Sequence, residues 1–199
     1  MKLIRNILIY FAITCPAFGQ SSLSKEDLSL LQERATVYVQ QFEYLIPKIA
    51  ISKSFDEKSA CIKQISDYFL DDATIEVSNL NGIVKKPLLI DYLKNTVSKY
   101  SDRFELVVID FYATKIEKLR EKTDRDGNKY YEGFFSFHQR FCAQKKSIKS
   151  FDLENRTFTY CDETVKRGKI KVFTAITIEG EKWFVKLGDI TVEKTTAIN

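Results

Sequence analysis

The strongest constraint on this chain is a change of hydrophobic period near its midpoint. Apolar residues recur at helical spacing up to about Val97, whereas from Phe104 onward they alternate or run in β-prone stretches. Helical segments gathered in one half and strands in the other predict an α+β layer, with helices covering one face of an antiparallel sheet.

In the helical half, Ser24 precedes Lys25-Glu26-Asp27, Leu23 is placed to staple against Leu28, and the stripe continues through Leu31, Ala35, Tyr38, Phe42 and Leu45. This predicts a long amphipathic helix ended by Pro47. Ser54 with Glu57 reads as a capping box, and Cys61, Ile62, Ile65 and Phe69 predict a second helix reaching about Leu70. Pro87 suits the first turn of a third helix that buries Leu89, Tyr92, Leu93 and Val97. Between the second and third helices, two short β-prone runs flank Asn81-Gly82, a strong local hairpin signal.

Strands are predicted over Phe104–Leu119, Tyr130–Ala143, Thr157–Cys161, Ile170–Ile178 and Trp183–Val192, with turns at Asp126-Gly127 and Glu179-Gly180. Trp183, Val185 and Leu187 alternate, but Ile190 and Val192 fall on the opposite phase, so Gly188 marks a β-bulge. A sheet bent in this way leaves room for a cavity beneath its helices.

The first twenty residues combine Lys2 and Arg5, an apolar run from Ile7 to Ala17, and Ala17-Phe18-Gly19, the order of a secretory signal with cleavage near Gly19. The expectation is a periplasmic or secreted protein; lipidation at Cys15 is the alternative anchor. The apolar run falls short of the ~20 residues needed to span a bilayer, so no transmembrane segment is expected in the mature chain. Losing Lys2 and Arg5 leaves 29 of 31 basic residues against 27 acidic ones, and they form no basic stripe that would favour nucleic acid. Cys61, Cys142 and Cys161 follow the signal; Cys142 and Cys161 are the expected disulfide, because a hairpin would bring their strands side by side. Cys61, on an apolar helix face, is expected to be a buried free thiol. No metal-ligand spacing and no cofactor motif is present in the sequence.

The order helix, helix, short hairpin, helix, long antiparallel strands resembles the nuclear transport factor 2-like superfamily. So do two local stretches, Phe69-Leu70-Asp71-Asp72-Ala73-Thr74-Ile75-Glu76 and Trp183-Phe184-Val185-Lys186-Leu187-Gly188-Asp189-Ile190. The resemblance implies one domain over residues 20–199, a curved antiparallel sheet packed against three N-terminal helices around a cone-shaped cavity. It spans isomerase-, dehydratase- and cyclase-like enzymes, ligand binders and protein-contact modules, so fold alone does not assign an activity. In isomerase-like members a general-base Asp follows the Asp-Asp-Ala-Thr run; here that position is Val77, which cannot move a proton. The segment from Lys145 to Lys169 is longer than the usual connection and has room for an extra strand pair.

His138 is the one histidine, on a strand face with Glu132, Phe134, Ser136, Arg140 and Cys142, while Tyr131, Phe135, Phe137 and Phe141 face the other way. If the polar face lined the cavity, His138 and Asp110 would form an acid–base pair; if it faced water, they would be ordinary surface residues. The leading expectation is an exported non-catalytic domain that uses the cavity or the outer sheet face to bind a small apolar or amphipathic ligand or a partner protein, with Tyr68, Tyr92, Asp110, Tyr112, His138 and Trp183 as candidate lining residues. A lyase- or isomerase-like enzyme using Asp110 and His138 is the first alternative, and a homodimeric structural protein paired through the outer sheet face is the second.

Overall fold

A computed structural model describes residues 23–78, 84–145, 160–178 and 180–198. The predicted turn at Asn81-Gly82, the proposed signal sequence and residues 146–159 lie outside the described residues.

Helix α1 spans Lys25–Ile51, and the Ser24 hydroxyl accepts the Asp27 amide at its start. It runs through Pro47 rather than ending there. Proline costs the helix a hydrogen bond to the Glu43 carbonyl, roughly 3 kcal/mol in an exposed interior. Burial of Ile46, Ile49 and Ala50 in the same turn offsets that cost, since a buried Ile is worth about 1.5–3 kcal/mol. Helix α2 spans Phe55–Tyr68, with Ser54 as its N-cap. The expected capping box is modified: the Glu57 carboxylate accepts the Ser52 hydroxyl, and that hydroxyl oxygen in turn accepts the Ser54 amide. A two-stranded pair follows, β1 (Val77–Ser78) with β2 (Val84–Lys85), then helix α3 (Leu89–Asn95), a 3-10 turn (Val97–Lys99) and the one-turn helix α4 (Tyr100–Arg103).

The main sheet is antiparallel, in the order β3 (Phe104–Ile116), β5 (Lys129–Lys145), β6 (Tyr160–Thr177), β7 (Gly180–Ala197), with β4 (Arg120–Thr123) also paired to β5. Cys61 is a buried free thiol, and Cys142 and Cys161 are register partners joined by a disulfide. No extra strand pair is found among the described residues of the Lys145–Lys169 segment. Instead β6 is one continuous strand from Tyr160, merging two short strands read from sequence. β7 likewise runs beyond Val192 to Ala197.

The expected bulge is present: Gly168 pairs with Ile190 and Ile170 with Leu187, which places one extra residue in β7 at Gly188-Asp189. The bend has a use. It lets the Thr74 carbonyl accept the Ile190 amide and the Ile190 carbonyl accept the Glu76 amide, while the Asp189 carboxylate accepts both the Thr74 amide (2.8 Å) and hydroxyl (2.6 Å). The two stretches that carry the family resemblance are therefore bonded to each other. They form a latch between the helical half and the last strand.

The core lies between the concave sheet face and α1–α3. Phe42 meets the rings of Phe69, Phe111 and Phe137, and Phe135 stacks on Phe137. A curved antiparallel sheet with helices on one face is the α+β arrangement expected from the sequence.

Candidate functional site

Side chains alternate along β6, and one set faces the helices: Asp162, Thr164, Lys166, Gly168, Ile170 and Val172 are all buried. The last three complete the apolar core, but the first three are polar and open onto a cavity of about 140 Å³. Tyr92 from α3, Tyr100 from α4 and Tyr160 at the start of β6 complete its polar wall, and Val77, Gln139 and Phe141 close it.

Lys166 is the unusual group. It is 4 % exposed, and among the described residues no hydrogen bond or ion pair holds its ammonium. Burial favours the neutral amine and brings its pKa down to about 8, with attraction to Asp162 acting in the opposite direction. The Asp162 carboxyl is raised by its own burial, against the Tyr160 hydroxyl that it accepts and the charge of Lys166. Burial also raises the phenols of Tyr92 and Tyr100, whose hydroxyls interact, and that of Tyr160. Near neutral pH the site therefore offers phenolic donors and a poorly solvated amine within one small space. It can hold a carboxylate or carbonyl oxygen, or exchange a proton with a bound molecule.

The residues proposed from sequence are dispersed. Tyr92 lines this cavity. Asp110, Tyr112 and His138 lie on the outer, convex sheet face, the other side from the helices, so the expected acid–base pair inside the cavity does not form. The reason is strand parity: Phe135 and Phe137 occupy the buried phase of β5, which places His138 on the opposite face. There its Nδ1 donates to Glu163 at 2.9 Å, and the Tyr112 ring lies 5.2 Å away. The Tyr112 and His138 hydrogen bonds hold the half-buried Glu163 carboxyl below its ordinary value. Asp110 is exposed and pairs in register with Arg140. This face carries charged and polar groups at its centre. Tyr68 stacks on Tyr38, and Trp183 packs edge-on against Tyr131, so both belong to the packing of the domain rather than to the cavity wall.

Sequence reading missed Asp162, Thr164, Lys166, Tyr100 and Tyr160. The alternation that exposes them is visible only if residues 160–172 form one strand, and the charged run Lys166-Arg167-Gly168-Lys169 reads locally as a loop.

Element order and layering are those of a curved antiparallel sheet covered on one face by helices, the α+β arrangement expected from the sequence. No family model and no curated protein matches the chain. Solved structures with a similar course include a hexachlorocyclohexane dehydrochlorinase from Novosphingobium barchaimii, at 13 % identity and TM-score 0.43 over 86 % of this chain and 94 % of that one. A proposed scytalone dehydratase from Novosphingobium aromaticivorans matches at 11 % identity and TM-score 0.42, over 87 % and 92 %. A proposed polyketide cyclase from Xanthomonas campestris matches at 9 % and 0.36, over 81 % and 90 %. These likenesses transfer no residue, ligand or activity to this chain. Among the described residues, no helix is long and apolar enough to cross a membrane, and no group of three or more His, Cys, Asp or Glu side chains is placed to hold a metal ion.

Proposed function

We propose that this chain is exported and that its domain is a non-catalytic binding protein for a small carboxylate- or carbonyl-bearing molecule, held in the concave-face cavity with Lys166 as its anchor. The carrying observation is the buried Lys166 ammonium facing that space without a hydrogen-bond or ion-pair partner among the described residues. A charge so placed costs stability unless something compensates it, and a bound anion would do so. The volume, about that of a cavity able to take a single benzene-sized ring, suits a compact ligand. Export is supported by the residue pattern of the N-terminus and by the Cys142–Cys161 disulfide, a bond that persists in oxidising compartments. The non-catalytic reading draws on Val77, which lines the cavity where the resemblance implies a base.

A proton-transfer enzyme is the second reading, favoured by a lysine whose pKa of about 8 lies close to neutral. Native mass spectrometry of the purified chain, followed by titration with small aromatic and aliphatic acids, tests the first. The expected result is a bound acid whose affinity falls at least tenfold in Lys166→Met, the loss of about one charge-assisted hydrogen bond. Acid binding that is unchanged in that variant would refute Lys166 as the anchor. Turnover of the bound compound would move the function to the second reading.

A further inference from the structure

A second concavity lies on the outside of the helical layer, between α2, α3 and the 3-10 turn, and encloses about 790 Å³. Its floor is apolar, made by Phe55, Ile62 and Ile90. Phe55 opens α2 with 80 % of its surface exposed, an unusual position for a phenyl ring with no packing partner to gain. The walls are basic. Lys53 and Lys63 stand on the α2 side, Lys94 and Lys99 on the other, and among the described residues none of the four side chains makes a hydrogen bond or ion pair.

Lys58 differs, because its ammonium donates to the Ser101 hydroxyl at 2.9 Å and to the Ser98 carbonyl, tying α2 to the turn and closing one end of the groove. Among the described residues, Asp102 is the one acidic group in the lining. Two basic groups elsewhere on the surface do have acidic partners, Lys129 with Glu121 and Arg167 with Glu117. The groove thus combines an apolar floor, exposed at Phe55, with four lysines against the single carboxylate of Asp102.

We infer that this groove is a binding site for a free single-chain anionic amphiphile, a long-chain carboxylate whose tail lies on Phe55, Ile62 and Ile90 while its head pairs with the lysine rim. The enclosed volume falls in the range of small-molecule sites, roughly 300–1,000 Å³, rather than that of a flat protein contact. Lysine stems add apolar wall to the floor and leave their ammonium groups at the mouth, which suits a ligand with one charged end. The site is separate from the Lys166 cavity and does not depend on the function proposed for it.

The test is a calorimetric titration of the full chain with sodium decanoate below its micellar concentration, with decanol and decyltrimethylammonium as controls. Decanoate should bind and the cation should not, and Lys63→Glu with Lys94→Glu should weaken it by about tenfold, the combined worth of a few exposed charge pairs. Both lysines are exposed, so the double variant should retain the fold, which circular dichroism checks. Phe55→Ser should weaken decanoate and decanol alike. Failure of decanoate to bind, equal binding of the cation, or an unchanged affinity in the double lysine variant would overturn the inference. So would a loss of decanoate binding in Lys166→Met with none in the lysine-rim variants, which would locate the acid in the inner cavity instead.

Discussion

Strand β6 presents two different surfaces to the same helices. From Gly168 to Val172 it is close-packed: a Cβ added at Gly168 would stand 2.2 Å from the Phe135 ring, and Ile170, Val172, Leu187 and Ile190 are fully enclosed. From Asp162 to Lys166, on the same face and a few residues away, the side chains are polar and surround open space. Apolar burial explains the first half without further assumption. It does not explain the second, because a core selected only for stability would not bury an ammonium group unpaired. The contrast separates the part of the sheet that apolar packing explains from the part on which the proposed binding rests.

The largest expected effect lies in the packed half. Gly168→Val would drive a branched side chain into Phe135, itself fully buried and stacked on Phe137, and should cost about 3 kcal/mol or more. A urea midpoint measured by circular dichroism reads this directly. If the midpoint stays near that of the parent chain, Phe135 has space to swing aside, and the packed half is less rigid than its geometry suggests.

Much of this half was legible in the residues. The phase slip after Leu187 located the bulge at Gly188, and alternation in β5 assigned Phe135 and Phe137 to one face and His138 to the other. What alternation could not say was which face lay under the helices, and so whether His138 and Asp110 looked into the cavity or away from it. Pro47 misled for a related reason, since the burial of Ile46 and Ile49 that carries α1 past it is tertiary. The polar half was hidden more thoroughly. A strand with Asp162, Thr164 and Lys166 on its buried phase has the local appearance of a loop, because the rule linking apolar residues to burial fails where a site is built. In β3 the backbone at Ala113 takes a positive φ of 54° within a register shift, which brings the Thr114 hydroxyl to Glu43 at 2.6 Å. Nothing in the residue types announces that bend.

The latch joining the two halves gives a smaller effect. Asp189→Ala removes the acceptor for the Thr74 amide and hydroxyl and should cost about 2 kcal/mol, as expected when a partly buried donor loses its partner. Burial alone would raise this carboxyl, yet the Thr74 bonds hold it below its ordinary value. Such a group adds stability that is present above the unfolded-chain pKa and is lost as pH falls through the folded one. Stability curves between pH 6 and pH 3 should therefore fall less steeply in the variant than in the parent. Parallel curves would mean that the latch is held by its backbone bonds, with Asp189 dispensable.

The smallest effect should also have the opposite sign. Lys166 has a folded pKa of about 8, below the ordinary lysine value of 10.5, so between those values the folded chain binds fewer protons and stability rises with pH. Below about pH 8 the full penalty of the buried charge is present. Lys166→Met removes it and should raise stability at pH 7 by about 1–2 kcal/mol, in line with other replacements of buried charges by apolar groups. The variant should also lose the rise between pH 8 and pH 10. Above that range the raised phenols of Tyr92, Tyr100 and Tyr160 act in the other direction, since the unfolded chain then loses their protons first. Asp162 faces the same space, and its own pKa is raised, so removing the lysine should make that carboxyl still harder to ionise. A more stable Lys166→Met that no longer binds small acids would show that the polar half gives up stability for recognition. A less stable one would mean that Lys166 and Asp162 act as a structural pair, and the two halves of β6 would then differ in composition but not in purpose.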